Sequence, residues 1–412
     1  MLNERLDRQL RIEGWNQDAL ENSSVAVVGD EPILTSLFLL ACSALGLNKL
    51  TVIAPSLDSR ILDMATSINE DIDLTYLEGF LVHPAISSFF SNCRAIVDLT
   101  TYGLANKLSI NKAYTDNLAV IQGCVDILDD KGFKIFTYFK GREWQELKKV
   151  VSAKQLPVRT KYDPVLSIIL SGIVLEELTK YLMGHDTSEE LITYRRKKLR
   201  DILPEENICV VGAGALGNFV ALGLALTGFK NITFMDPDII ELTNLNRQVF
   251  FYDAVGKNKA EILSTRLREI FNINTDYNVC YFDAETDISS FDIIFDCVDN
   301  FETRIILSEK CKENQKILIS GGSSANAGQV VIYDPRFSRK SPAKVLGLYE
   351  IVDKRQVGNY KRSRESCIYQ PEPSVVTTNQ IIGGFMVDSC RILLSGEKPE
   401  NIFYASDSPE KF

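Results

Sequence analysis

The stretch ICVVGAGALGNFVALGLALTGFKNITFMDPD, residues 208–238, constrains the fold of this 412-residue chain more than any other. An apolar run from Ile208 to Val211 meets Gly212-Ala213-Gly214-Ala215-Leu216-Gly217-Asn218. An apolar, helix-like segment follows to about Thr227, and a second apolar run, Ile232 to Met235, stops at Asp236. The pattern reads strand, tight turn, helix, strand. The first glycine permits the turn, the second lets a phosphate approach bare backbone, and the third lets helix and strand pack closely. The helix N-terminus offers free N–H groups to an anion. Asp236 then falls where a carboxylate accepts ribose hydroxyls. A glycine turn can also serve packing alone, but the strand and helix around this one favour a nucleotide.

The stretch has an earlier, altered copy. With Gly29 laid on Gly212, VAVVGDEPILTSLFLLACSALGLNKLTVIAPS aligns with the glycine stretch. Gly46 then matches Gly228, Pro55 matches Pro237, Asp98 falls on Asp296 and Gly123 on Gly321. The chain therefore reads as two copies of one α/β unit, residues 1–190 and 191–412, joined through the polar stretch 186–206. An apolar helix at 165–184 closes the first unit, and its counterpart at 374–396 closes the second. The copies differ where chemistry would be. In the first, Gly29-Asp30-Glu31-Pro32-Ile33-Leu34-Thr35 lacks both later glycines, Ala54 stands for Asp236, and Thr101 stands for Asp299. A side chain at the second glycine position blocks backbone approach, and Asp30 and Glu31 repel a polyanion. The first unit is expected not to bind nucleotide. In the second, residues 336–366 are rich in Lys and Arg without clear periodicity and read as a long loop over the nucleotide-bearing half.

Composition removes several function classes. A formal net charge of −10 disfavours nucleic acid or an anionic membrane as the main partner, because both need clustered positive charge. Nine scattered cysteines with no CxxC pair read as reduced thiols of a cytoplasmic protein. With His83 and His185 as the only histidines, zinc and Ser-His-Asp sites lack raw material, and no structural zinc is expected. The opening MLNERLDRQLRIEG is charged and lacks a signal-peptide core, and no run approaches a membrane span.

Downstream of Asp236-Pro237-Asp238 come Asn244-Leu245-Asn246-Arg247-Gln248, then Gly256-Lys257-Asn258-Lys259-Ala260, and later Asp296-Cys297-Val298-Asp299-Asn300 with Arg304. In this order GxGxxGN, DxDxxxxxNLxRQ, GxxKA and DxxDNxxxR resemble the ThiF/MoeB adenylyltransferases and the ubiquitin-activating enzymes related to them. RLDRQLRIEG resembles the RYxRQ segment that opens such domains, and ITYRRKKLRD, from Ile192, reads as a degraded second version of it. The resemblance implies two Rossmann-like, doubly wound α/β adenylation domains forming an intramolecular pseudo-dimer, inactive half first. It further implies one site for ATP and magnesium (Mg2+), and a ubiquitin-like β-grasp partner with a C-terminal glycine. A conjugating enzyme, where one follows, would use another surface, and further self-association stays open.

Attack of a carboxylate on the α-phosphorus of ATP develops charge on the departing pyrophosphate, so catalysis is largely electrostatic positioning. Arg247 and Lys259 supply fixed positive charge; singly each would read as a solvated surface residue, but together and in matching order they read as a site. By resemblance Gly212, Gly214, Gly217, Asp236, Asp238, Asn244 and Gln248 hold the nucleotide, Asp299 is a magnesium ligand, and Arg8 reaches the active half in cis as an arginine finger. Cys367 is the candidate nucleophile. Lys361, Arg362 and Arg364 before it favour a thiolate, and a similarly placed cysteine forms the thioester in a short activating enzyme that also lacks a separate cysteine domain. Rival readings are an enzyme that stops at adenylation or feeds sulfur transfer, an NAD-dependent dehydrogenase, which usually wants a histidine acid that the active half lacks, and a non-catalytic nucleotide-binding scaffold.

Overall fold

A computed structural model describes residues 2–125, 132–141, 148, 151–158, 162–197, 199–200, 204–353, 372–408 and 410–412. The first sheet is built from β1 (Ser24–Gly29), β2 (Lys49–Ala54), β3 (Asp73–Glu78), β4 (Ala95–Leu99), β5 (Ala119–Val125), β6 (Gly132–Tyr138) and β7 (Ile192–Arg195). The second uses β8 (Asn207–Val211), β9 (Asn231–Met235), β10 (Thr275–Asn278), β11 (Ile293–Asp296), β12 (Ile317–Ser323), β13 (Ala327–Tyr333) and β14 (Ile402–Ala405). Their orders are the same: β3-β2-β1-β4-β5-β6-β7 and β10-β9-β8-β11-β12-β13-β14. In each, the first five strands pair in parallel and the last two pairings are antiparallel. The inner parallel strands are covered on both faces, which is why they read as continuous apolar runs rather than alternating ones. Even the register repeats, with Val28 opposite Asp98 in the first sheet and Val211 opposite Asp296 in the second. The molecule is thus two doubly wound α/β units of one design, a pseudo-dimer within a single chain.

Helices α1 (Leu2–Arg5), α2 (Asp7–Leu10) and α3 (Gln17–Glu21) form an N-terminal arm, followed in the first half by α4 (Pro32–Leu45), α5 (Ser59–Ile68), α6 (Gly103–Asp116) and α7 (Pro164–Met183). The second half carries α8 (Ala215–Leu226), α9 (Lys259–Phe271), α10 (Phe301–Glu313), α11 (Pro342–Val345) and α12 (Val376–Leu394). Part of the presumed loop 336–366 is therefore helical. Pro342 starts α11, and Ala343 N–H donates to Ser308 Oγ of α10 at 3.1 Å, which fixes that turn on the flank of the second half.

The two halves meet across α7 and α12, which are apolar nearly all round because both are core helices. They approach closely: a Cβ at Gly172 would lie 2.8 Å from Ile381, and one at Gly384 would lie 2.5 Å from Ile169. The edge strands reach across reciprocally. Tyr194 of β7 donates to Asp388 of α12 at 2.9 Å, and Tyr404 of β14 donates to Glu176 of α7 at 2.6 Å. This corrects the reading of ITYRR as a second N-terminal arm. The segment is β7, paired with β6, and Arg196 binds Asp388 and Asp163 instead of facing a nucleotide.

Candidate nucleotide site

Apart from Cys367, the residues singled out by sequence gather at the carboxyl ends of β8, β9 and β11, where the strand order reverses and α/β sheets hold ligands. Gly212 turns with φ of +96°, and a Cβ there would strike Cys297 O at 2.7 Å. A Cβ on Gly217 would sit 2.1 Å from Gly212 O, so the third glycine is fixed by helix–strand packing. Gly214 is different. The nearest atom to a Cβ there is Gln248 Nε2 at 4.0 Å, and Gly214 is the N-cap of α8 with no side chain capping the helix. The exposed N–H groups of α8 therefore face open space, the setting in which a phosphate binds. Asn218 staples the turn: its Nδ2 donates to Ala213 O and Gly214 O, and its Oδ1 accepts from Phe250 N–H.

Asp236, beyond β9, accepts from Ala213 N–H at 2.7 Å and from Asp238 N–H at 2.8 Å. Burial pushes its carboxyl above the usual range, against the field of Lys259 and these two N–H groups. Lys259 opens α9 and its Nζ lies 2.8 Å from Asp238, so Asp238 holds the lysine rather than standing free. Arg247 is 7% exposed and donates to Thr243 O and Asn246 Oδ1. Burial, and then the neighbouring Arg8 guanidinium, push it down to about 10, against a pull from Glu241. Arg8 comes from the first half. Its carbonyl accepts from Ser374 N–H, and its Nη1 donates to Glu372 O. Among the described residues no carboxylate forms an ion pair with either arginine, and Arg8 Nε and Gln248 Oε1 are buried without a hydrogen-bond partner. Two adjacent cations with no ion-paired carboxylate among the described residues, an orphaned guanidinium donor and an uncapped helix N-terminus are the features of a polyanion site. Asn244 is buried beside them, its Oδ1 accepting from Glu241 N–H.

The sequence profile of the ThiF family matches residues 188–410, more than half of the chain. The chain belongs to the ThiF family. It is 35% identical over 169 residues to a probable molybdopterin-synthase adenylyltransferase of Porphyra purpurea, covering 39% of this chain and 42% of that relative. It is 35% identical over 138 residues to the adenylyltransferase and sulfurtransferase MOCS3 of Aedes aegypti, covering 32% and 31%. The molybdopterin-synthase adenylyltransferase of Escherichia coli K12 is 30% identical over 165 residues, covering 37% and 66%. The chain thus spans less than half the length of the first two relatives. Among solved structures, E. coli MccB with ATP is 22% identical, covers 50% of this chain and 62% of its own, and superposes with a TM-score of 0.42.

In this ThiF-family chain the corresponding turn of the first half is closed by its own groups. Glu31, aligned with Gly214, caps α4 by accepting from Ile33 N–H at 3.0 Å and from Leu34 N–H. Asp30 accepts from the N–H and hydroxyl of Thr101, the residue aligned with Asp299. Gly103 and Leu104, opening α6, donate to Lys154 O and Gln155 O. The carboxylates that sequence reasoning treated as repelling a phosphate instead occupy its place. In the second half Asp299 is exposed just beyond β11, next to Asn300, which caps α10. Asp296 is buried, accepts from Ser320 Oγ at 2.6 Å and sits 3.5 Å from Arg304, so it supports the strand end. Among the described residues no three carboxylate, histidine or cysteine side chains form a metal cluster. A magnesium ion would therefore take Asp299 together with phosphate oxygens and water, as Mg2+ commonly does. Cys367 and the basic residues 361–364 lie outside the described residues. Asn218, Asn246 and Gln9 are polar partners of the site to which sequence reasoning gave no role; the signal for Asn218 was an amide opening an otherwise apolar helix. Among the described residues no helix is long and apolar enough to cross a membrane.

Proposed function

We propose that this chain adenylates the C-terminal glycine of a small ubiquitin-like, β-grasp protein at a single site in the second half, with the first half, which extends past residue 190 to take in β7, as the degenerate partner. The observation that carries the reading is the convergence of Arg8 and Arg247, from different halves and with no ion-paired carboxylate among the described residues, beside the uncapped N-terminus of α8. The adenylyltransferase names of the relatives support it. Gly212, Gly214 and Gly217 admit the phosphates, Asp236 takes the ribose, and the amide N–H groups of Asn244 and Gln248 donate hydrogen bonds to the triphosphate. Arg247, Lys259 and Arg8 meet the charge that grows on pyrophosphate as the carboxylate oxygen bonds to the α-phosphorus. Binding would move Lys259 from Asp238 toward phosphate. Magnesium, held at Asp299, supplies Lewis-acid charge stabilisation when bound.

The second step in this proposal is transfer of the acyl group to Cys367 as a thioester, with loss of AMP. The basic run 361–364 supports a thiolate there. Ser374, a few residues further on, is hydrogen-bonded to Arg8 and Asn246, which supports this reading.

ATP:pyrophosphate exchange with a candidate small protein ending in Gly-Gly tests the first step. Arg247→Ala, Lys259→Ala and Asp299→Ala should each cost about 2 to 4 kcal/mol of transition-state stabilisation, the usual loss for one preorganised contact. Near-normal exchange in all three would refute the site. For the second step, Cys367→Ala should keep exchange and lose a dithiothreitol-sensitive adduct. No adduct in the unmodified enzyme would leave the adenylation-only or sulfur-transfer chemistry.

A further inference from the structure

Arg247 is held from one side by an amide relay that begins in the other half. At the end of α4, Ser43 O accepts from Gly46 N–H, but Gly46, with φ of +83°, turns the chain away and leaves the carbonyls of Ala44 and Leu45 without helical partners. The arm satisfies them. Arg5 Nη1 donates to Ser43 O at 3.3 Å and Ala44 O at 2.9 Å, and Gln9 Nε2 donates to Leu45 O at 2.8 Å and Gln17 Oε1 at 2.7 Å. Both N–H groups of the Gln9 amide are thereby used, so its Oε1 must face away from α4, and it accepts from Asn246 Nδ2 at 3.2 Å. The second N–H of Asn246 goes to Ser374 O at 3.3 Å. Its Oδ1 is left to accept from Arg247 Nη1, at 2.7 Å. A main-chain carbonyl fixes the orientation at one end and a guanidinium, which can only donate, fixes it at the other. Gln9 and Asn246 are fully buried, where such a chain resists reorientation because any flipped amide leaves unpaired groups.

We infer that Gln9 and Asn246 are positioning residues: the relay Leu45–Gln9–Asn246 sets the Arg247 guanidinium, so that the first half orients a cation it does not carry. This rests on the reading of Arg247 as a phosphate-facing group. Asn246 is also where the arm, Arg247 and Ser374 meet. The relay explains why the arm persists on a half whose own turn is capped by Glu31. Its amide serves the opposite site.

The test uses the full chain with two readouts. In pyrophosphate exchange, with active sites counted by ATP titration, Gln9→Ala and Asn246→Ala should each lower kcat by roughly 10- to 100-fold, the scale of a sub-ångström to 1 Å misplacement. The KM for ATP should move less than about twofold. The double variant should be no worse than Asn246→Ala, since one break suffices to disconnect a relay. Losses that multiply, or kcat unchanged with only a lower melting temperature, would overturn the inference. The second readout does not depend on catalysis: NMR of 15N-labelled arginine should show slow rotation of the Arg247 guanidinium in the unmodified protein and fast rotation in Gln9→Ala. Absent exchange with a restricted guanidinium that Gln9→Ala releases would defeat the adenylation reading and leave the relay standing. Equal guanidinium mobility in both proteins would defeat the relay whatever the activity.

Discussion

Glu31 and Gly214 stand at the same place in two copies of one turn, and what differs there is a carboxylate against a hydrogen. Glu31 fills the helix end that Gly214 leaves open. Gly214→Ala should fold normally, because the added Cβ meets nothing closer than 4.0 Å and the φ of −71° suits any residue, yet it should weaken ATP binding measured by calorimetry. Gly217→Ala should instead lower stability by about 1 to 3 kcal/mol or more, since its Cβ collides with main chain. Glu31 also gives a pH signature. Burial, opposed by the Leu34 and Ile33 N–H groups, pushes its carboxyl from 4.5 up to about 7. A folded pKa above the unfolded one means that this contribution to stability is full below about 4.5 and is lost as pH rises through about 7. Glu31→Gln should remove that slope in denaturant titrations between these values; an unchanged slope would assign it elsewhere. The glycine roles were legible because steric demand at a turn is local. The Asn218, Asn246 and Gln9 contacts were not, since which way an amide points depends on partners that only the fold supplies.

At the scale of elements, the two long apolar helices and the strand–turn–helix units could be read from periodicity, whereas β7 could not. ITYR is four residues beside a basic run, and it becomes a strand only by pairing with β6, far back in the chain. Its neighbour Arg196 joins Arg391 on Asp163, which also caps α7 by accepting from Val165 and Leu166 N–H. Asp163 thus ties the first half's core helix to the second half. Asp163→Ala leaves the buried Arg196 guanidinium and the half-buried one of Arg391 short of a partner and should cost about 3 to 5 kcal/mol in chemical denaturation. Despite its burial, Arg391 and Arg196 hold the Asp163 carboxyl below 3.8, so this contribution is present above pH 3.8 and disappears as pH falls through the lowered value. Asp163→Ala should therefore flatten the acid limb of the stability profile; an acid limb as steep as before would mean the pair adds nothing.

The whole molecule is an arrangement that two chains could make and one chain makes here. Reciprocal tyrosine–carboxylate contacts, crossed core helices and matched sheets are what a two-fold dimer would show, and fusion lets each half keep only part of the machinery. The first keeps Arg8 and Gln9, and the second keeps the open turn, Asn246, Arg247, Lys259 and Asp299. If Arg8 serves the site of its own chain, as its hydrogen bonds to Glu372 and Ser374 suggest, activity per chain should not depend on self-association. Arg8→Ala should then depress pyrophosphate exchange from within the half whose own turn is capped by Glu31. The decisive comparison is a mixture of Arg8→Ala chains with Arg247→Ala chains. In cis, every Arg8→Ala chain lacks the finger and every Arg247→Ala chain lacks the site cation, so no working site can assemble and exchange should stay at the level of the separate variants. In trans, an Arg247→Ala chain would lend its Arg8 to the intact site of an Arg8→Ala partner. Recovery of exchange on mixing, rising with protein concentration, would show that the finger crosses between chains and that the single-chain pseudo-dimer is not the catalytic unit.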